Sequence, residues 1–385
     1  MSGFLKVGIL TLPLHTNFGG NLQAYALLRF LRKNSVDAYF LCREKNKYPL
    51  WKYALSIPKG IFNKYIFGKD APIFKSIKEK LEYDRVSVNA KFFIENEINP
   101  KSFACHSSEE LMAEVERLEL DAVVVGSDQI WRFQYAPSIE DYFLGFIAKG
   151  KNILKISYAA SFGTDEWQYD SSQTKRLSQL LSEFSYVSVR ERSAVLSCGN
   201  NFGVQVDHVL DPTMLLDVSD YTRLFSGNEF SCAGMVSTYI LDESLSVSRI
   251  FSCLHEKYGE LRRLNTSTED REASVEKRIA PPTGQWLHGI YDAELLVTDS
   301  FHGCVFSIIF NTPFLVYGNE SRGLARFESL LEEFGLEDRM VNSAADVISK
   351  SEKIIDWHLV NERLEQRRLD SARGLLGALG LEYER

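Results

Sequence analysis

Residues 6–42 read KVGILTLPLHTNFGGNLQAYALLRFLRKNSVDAYFLC. The opening run, Lys6 to Leu12, is largely apolar and short, the pattern of a strand buried on both faces. A polar loop with two glycines follows, His15 to Gly20. From Asn21 the period changes: Ala24, Leu27, Leu28 and Leu31 recur at i, i+3, i+4 and i+7, which predicts a helix with one buried stripe. Ala38 to Cys42 returns to strand character, so the chain opens as a β-α-β unit.

The same alternation continues outward. Asp121–Val125, Ile153–Tyr158 and Tyr186–Val189 read as further apolar strands with helical patterns between them, predicting a parallel sheet covered on both faces. From Asp211-Pro212 to about Asn228 the pattern breaks. It restarts with a strand near Ala233–Ile240, a helix near Ser244–Tyr258 and a polar loop from Asn265 to Lys277. Strand Leu295–Thr298 then leads into an apolar helix, Cys304–Phe310, which Asn311-Thr312-Pro313 stops. Strand Phe314–Tyr317, a helix near Leu324–Phe334 and a charged terminal helix near Ser351–Arg373 complete the chain. At 385 residues two cores are expected, and the break divides the chain into 1–220 and 221–385. The expected fold class is α/β, with parallel sheets in both units.

Hydrophobic residues at 45% and charged residues at 25% place the chain among globular proteins, and a net charge of −8 argues against a general nucleic-acid binder. The charge is uneven. Between Arg43 and Lys80 ten Lys or Arg face three Asp or Glu, so the remainder carries −15. Seven aromatics, from Tyr48 to Phe74, lie in the same stretch. Basic residues interleaved with rings suit peripheral contact with an anionic membrane face; an insertion packed on the domain is the plainer alternative. The six cysteines show neither Cys-x-x-Cys nor zinc-ligand spacing and read as reduced thiols. With no leader-like N-terminus and no apolar run long enough to span a bilayer, a cytoplasmic location is expected, peripheral at the inner membrane face if 43–80 docks there.

In open α/β sheets ligands bind beyond the carboxyl ends of the strands, where helix N-termini attract anions. Those positions carry Asn17, Gly19, Gly20 and Asn21; Ser127 and Asp128; Ser161, Phe162 and Gly163; Arg190 and Glu191; and Ser300, His302 and Gly303. The Gly19-Gly20 pair would let backbone approach a phosphate or carboxylate, but it is neither a dinucleotide fingerprint nor a P-loop, and a tight turn explains it equally. His302 lies near the positive end of a helix dipole, which favours a neutral imidazole able to move a proton; a lone histidine is otherwise often structural. Arg190 ends a strand, where an ion pair with a neighbouring carboxylate is its plain reading.

Taken in order, Asn17-Phe18-Gly19-Gly20-Asn21, Val125-Gly126-Ser127-Asp128-Gln129-Ile130-Trp131, Tyr158-Ala159-Ala160-Ser161-Phe162-Gly163, Val189-Arg190-Glu191, Leu210-Asp211-Pro212 and Thr298-Asp299-Ser300-Phe301-His302-Gly303 resemble the polysaccharide pyruvyl transferase family. The resemblance implies two facing Rossmann-like domains in a GT-B-like arrangement. It implies transfer of pyruvyl from phosphoenolpyruvate to a sugar hydroxyl of a capsule, exopolysaccharide or cell-wall precursor, forming a pyruvate ketal. It makes His302 the catalytic histidine, and Arg190 and Arg322 the ligands of the donor's carboxylate and phosphate. The chain departs from many relatives in the basic aromatic stretch 43–80 and at Gly19-Gly20, where an acidic residue is often found.

That chemistry needs a proton supplied, a proton accepted and two anionic groups held. Arginine forks suit the anions. Asp128, Glu191 and Asp299 are alternative proton carriers to His302. The acceptor would be lipid-linked or nucleotide-linked, and neither a metal nor another cofactor is called for. Two rivals remain on sequence: a nucleotide-sugar glycosyltransferase of the same architecture, and a non-catalytic sugar-binding or assembly protein.

Overall fold

Runs such as Val7-Gly8-Ile9-Leu10, Ala122-Val123-Val124-Val125 and Leu295-Leu296-Val297 are apolar because both faces of their strands are covered, and almost every residue in them is buried. The computed structural model describes residues 4–46, 72–226, 231, 233–242, 244–264, 268, 273–318 and 324–383, with backbone alone over 72–78. The first sheet contains β1 (Lys6–Leu10), β2 (Asp37–Phe40), β3 (Ala122–Val125), β4 (Leu154–Ala160), β5 (Tyr186–Val189) and β6 (Asp207–His208). The second contains β7 (Val236–Tyr239), β8 (Leu261–Arg263), β9 (Leu295–Thr298), β10 (Phe314–Tyr317) and β11 (Met340–Val341). All neighbours are parallel, in the orders β2-β1-β3-β4-β5-β6 and β11-β10-β9-β7-β8.

The two orders share one pattern. In each sheet the first strand in the chain lies between the second and the third, so the winding reverses at β1/β3 and again at β7/β9. Crevices open at such reversals, outside the carboxyl ends of the strands.

Two helices begin earlier than their apolar stripes announce. Helix α1 (Phe18–Lys33) starts in the glycine loop, because Asn17 Oδ1 accepts the Gly20 N–H at 3.1 Å and caps it there. Glycines contribute nothing to a hydrophobic period, so the stripe hides this first turn. After α2 (Thr283–Tyr291), α3 (Phe301–Phe310) is likewise capped by Ser300, which puts His302 within the first turn. Helix α4 (Ala325–Phe334) follows β10, and α5 (Trp357–Ala378) ends the chain, beginning and ending later than its charge pattern indicates because a separate helix occupies Ala344–Ser351.

Helix α5 returns to the segment that leaves the first sheet. Arg368 Nε donates to Met214 O at 2.7 Å, Arg367 Nη2 donates to His208 O at 2.8 Å, and Ser371 Oγ accepts the Leu210 N–H at 3.0 Å. One apolar cluster then runs from Leu22 and Leu28 of α1 through Tyr221 to Trp286 of α2 and Phe306 of α3. Phe18 stacks on Trp286 with centroids 5.1 Å apart, and Tyr221 meets Phe306 edge-on at 5.0 Å. Aromatic pairs of this kind fix the two sheets against each other.

Most of the basic aromatic stretch, 47–71 with the side chains of 72–78, lies outside the described residues. Its first cation is not a surface group. Arg43 Nε donates to Asp141 at 2.7 Å with both side chains 1% exposed, so it belongs to the interior rather than to an interfacial patch. The five described cysteines, Cys42, Cys105, Cys198, Cys253 and Cys304, are unbridged. No helix among the described residues is long and apolar enough to cross a membrane.

Candidate active site

Three consecutive strand ends of the first sheet are laced together before any side chain reaches the crevice. Ser161 N donates to Asp128 O at 3.0 Å, Arg190 N donates to Ala160 O at 3.0 Å, and Glu191 Oε1 accepts from Ser161 Oγ at 2.9 Å and Phe162 N at 3.1 Å. The loops after β3, β4 and β5 therefore form one rim. The second sheet closes it from the opposite side through the first turn of α3.

Asp211 joins the two. Its Oδ1 accepts from Thr213 N and Thr213 Oγ1 at 3.0 and 2.7 Å, which locks the turn over Pro212–Leu215. Its Oδ2 accepts from Arg190 Nη1 at 2.9 Å and faces His302 Nε2 at 3.7 Å, beyond a hydrogen bond. Burial alone would raise the carboxyl's pKa; His302 and Arg190, with Thr213, outweigh it and hold the group well below the usual carboxylate range. Asp211 is thus a fixed anion that Arg190 and His302 share.

Arg190 keeps a surplus of donors. Its Nε and Nη2 are buried without a hydrogen-bond partner, although the guanidinium spends Nη1 on Asp211. The desolvation is offset by Asp211, Asp128 and Glu191, so its pKa lies above the ordinary arginine value. The guanidinium carbon stands 4.5 Å from the Phe301 ring centroid, and Arg326 stands 5.8 Å from the same ring. Two cations thus share one aromatic platform, which orients them without neutralising them. Burial, then repulsion from Arg190, pulls the Arg326 pKa down to about 10, which leaves it charged at neutral pH.

A profile of the family described as polysaccharide pyruvyl transferase matches residues 17–321, a span that contains Asp211, Arg190, Glu191 and His302. The chain belongs to this family. It is accordingly a transferase with a pyruvyl-transfer role in polysaccharide synthesis. No curated protein matches it in sequence. Among solved structures it is similar to the UDP-N-acetylglucosamine 2-epimerase of Rickettsia bellii, at 11% identity and a TM-score of 0.51 over 98% of this chain and 96% of that one. A glycosyltransferase of Rickettsia africae is similar at 9% identity and a TM-score of 0.51, over 97% and 94%. Likenesses this remote show the fold, a GT-B arrangement of two parallel-sheet units, and nothing of the chemistry.

In this pyruvyl transferase the remaining sequence-derived residues divide by what their polar atoms touch. Asn17 and Ser300 cap α1 and α3. Asn21 Nδ2 donates to His15 O at 2.7 Å, while its buried Oδ1 has no partner. Ser127 Oγ lies 2.7 Å from Gln23 Oε1 and 3.4 Å from Asp211 Oδ2, tying α1 to the rim. Gly20 and Asp128 face each other, a Cβ at Gly20 falling 3.7 Å from Asp128 Oδ2. The Phe162 ring sits among Trp131, Trp167, Tyr169 and Phe202, so only its backbone N–H serves the rim. Gly163 has φ +70 and Gly303 abuts Thr298 Oγ1, so both are packing positions. Asp299 accepts from Leu241 N and Asp242 N at 2.7 and 3.0 Å, spanning the β7/β9 reversal. Arg322 lies outside the described residues.

Local sequence pattern does not single out Asp211 or Phe301 as a site residue. The Asp-Pro following β6 carried the signal for the first, but it read as a domain break. Nothing in sequence marks a phenylalanine as a platform for two arginines. A separate cleft of about 360 Å³ lies beside Arg29, Arg32, Lys33 and Arg223. Arg29 and Lys33 are held by Asp220 and Arg223 by Glu97, so its ion pairs knit helices together, and His302 is not among its lining residues.

Proposed function

We propose that the chain transfers the pyruvyl unit of phosphoenolpyruvate to a sugar of a capsule, exopolysaccharide or cell-wall precursor, closing a pyruvate ketal. The observation that supports this most is Arg190: a buried guanidinium with two unbonded donors, held by a permanent carboxylate that also faces His302. The donor has a carboxylate and a phosphate, and a planar fork matches either one. It would lie in the cleft between units 1–220 and 221–385, with Arg190 and Arg322 on its anionic groups. His302 would take the proton of the attacking hydroxyl, Asp211 fixing its ring. The acceptor is a lipid-linked or nucleotide-linked sugar. Neither a metal nor another cofactor enters this scheme.

The test is incubation with phosphoenolpyruvate and lipid-linked or nucleotide-linked galactose, glucose and mannose derivatives, following phosphate release and ketal formation. Arg190→Lys should weaken donor binding, because an ammonium cannot supply the fork. Cleavage of a nucleotide sugar without use of phosphoenolpyruvate would replace this reading with a glycosyltransferase. Tight sugar binding with no turnover on either donor would make the chain a binding protein.

A further inference from the structure

Phosphoenolpyruvate accepts a nucleophile only after its methylene carbon gains a proton, so pyruvyl transfer needs an acid in addition to the base. Resting on the reading above, we propose that Glu191 is that acid, while His302 is the base for the attacking hydroxyl. Glu191 is 2% exposed, with one carboxyl oxygen anchored by Ser161 Oγ and Phe162 N–H and the other, Oε2, buried without a hydrogen-bond partner. An anchored group with one unspent oxygen is built to present that oxygen to something absent from the protein itself.

Two of the other carboxyls at the strand ends are committed. Asp211 is held ionised with both oxygens occupied, and Asp299 uses both on backbone N–H groups. Glu191 faces Arg190 on its own strand end, Arg326 on α4, Ser161 and Phe162 on the β4 loop, and Cys198 on the turn after the helix Arg192–Ser197. Asp128 acts on both arginines and Arg132 on Arg326. Burial outweighs the attraction of Arg190 and Arg326 and pushes the Glu191 carboxyl above its ordinary value, the direction an acid needs.

The step balances. The Glu191 proton forms a C–H bond to the methylene using the π pair, the first hydroxyl oxygen bonds the central carbon, and that hydroxyl's proton passes to His302. The resulting tetrahedral carbon carries methyl, carboxylate, phosphate and sugar oxygen. The second hydroxyl then gives its proton to the Glu191 carboxylate and bonds the same carbon. The carbon–phosphate oxygen bond breaks, and the imidazolium proton leaves with the phosphate. Both side chains return to their starting forms, and no oxidant or reductant is involved.

The experiment compares wild type and Glu191→Gln by phosphate release with an acceptor the wild type uses, by melting, and by phosphoenolpyruvate binding through thermal shift. Turnover should fall by roughly 100-fold or more while donor binding and a cooperative melting transition are kept. Wild-type kcat should fall as pH rises through the Glu191 pKa. Ser161→Ala, which removes a hydrogen bond favouring the ionised carboxylate, should move that limb to higher pH. This second variant decides the matter even if Glu191→Gln does not fold. Near-native turnover in Glu191→Gln, or a limb unmoved in Ser161→Ala, would overturn the role of Glu191. A wild type that releases no phosphate from phosphoenolpyruvate with any acceptor would instead overturn the transfer reading, and this inference with it.

Discussion

Gly19 and His302 meet face to face across the two sheets: a Cβ built on Gly19 would stand 2.1 Å from Nδ1 of the imidazole. The first turn of α1 is thus the wall against which the histidine ring rests, and its other nitrogen faces Asp211. Helix geometry does not require glycine here. The ring does.

Gly19→Ala should therefore displace His302 rather than unfold the chain. Overpacking of this kind costs about 1–3 kcal/mol, and a displacement near 1 Å at a reacting group costs on the order of 100-fold in rate. His302→Ala should fold normally and lose most turnover. Melting and phosphate release measured together check both variants; a Gly19→Ala protein with native turnover would show that the contact has no bearing on activity.

Asp211 and Asp141 make a matched pair of tests. Each is 1% exposed and bound to a buried arginine, Arg190 and Arg43 respectively. Losing one member of such a pair costs about 3–5 kcal/mol, because the other charge stays buried alone. Asp211→Asn and Asp141→Ala should therefore both lower the denaturant midpoint. Only Asp211→Asn should also lower kcat at a temperature where both are folded.

The raised pKa of Glu191 carries a stability signature with a definite sign. Between its unfolded value, near 4.5, and its higher folded value, the native state holds more protons than the unfolded state, so stability falls as pH rises through that window. Gln does not titrate. The melting temperature of Glu191→Gln relative to wild type should then be higher at pH 8 than at pH 5. A pH-independent difference would mean that burial does not disfavour the ionised form.

The basic aromatic stretch predicts salt-sensitive docking on anionic vesicles, at roughly 1 kcal/mol per basic residue near the surface. The patch is smaller than its charge count, since Arg43 is buried. Co-sedimentation should be strong for wild type on anionic vesicles, weak on neutral ones, and weakened by changing Lys52, Lys59, Lys64 and Lys69 to Gln. Equal recovery throughout would make 43–80 an ordinary insertion and favour a soluble nucleotide-linked acceptor.

The apolar runs and their alternation with helices were sufficient for two parallel sheets, because a strand covered on both faces must be apolar along its length. The strand-end loops likewise announced Arg190, Glu191 and His302 as polar groups where a crevice should open. Helix starts were read too late at Phe18 and Phe301, since a capping Asn17 or Ser300 acts through one hydrogen bond and leaves no period. Helix Thr283–Tyr291 and the short strands β6, β8 and β11 were not resolved as separate elements either, being brief and held by pairing with distant partners.

What the sequence determined by itself is the kind of residue at each strand end, because that depends on local pattern and chain order. What only the tertiary structure decided is which of them act on one another. Asp211 becomes the shared partner of Arg190 and His302, Gly19 the wall of the imidazole, and Phe301 the platform of two arginines, through contacts that span up to 283 residues of chain. Such contacts exist only once the apolar cluster has pressed α1 against α2 and α3, and no local period records the distance between two side chains that the chain itself keeps far apart.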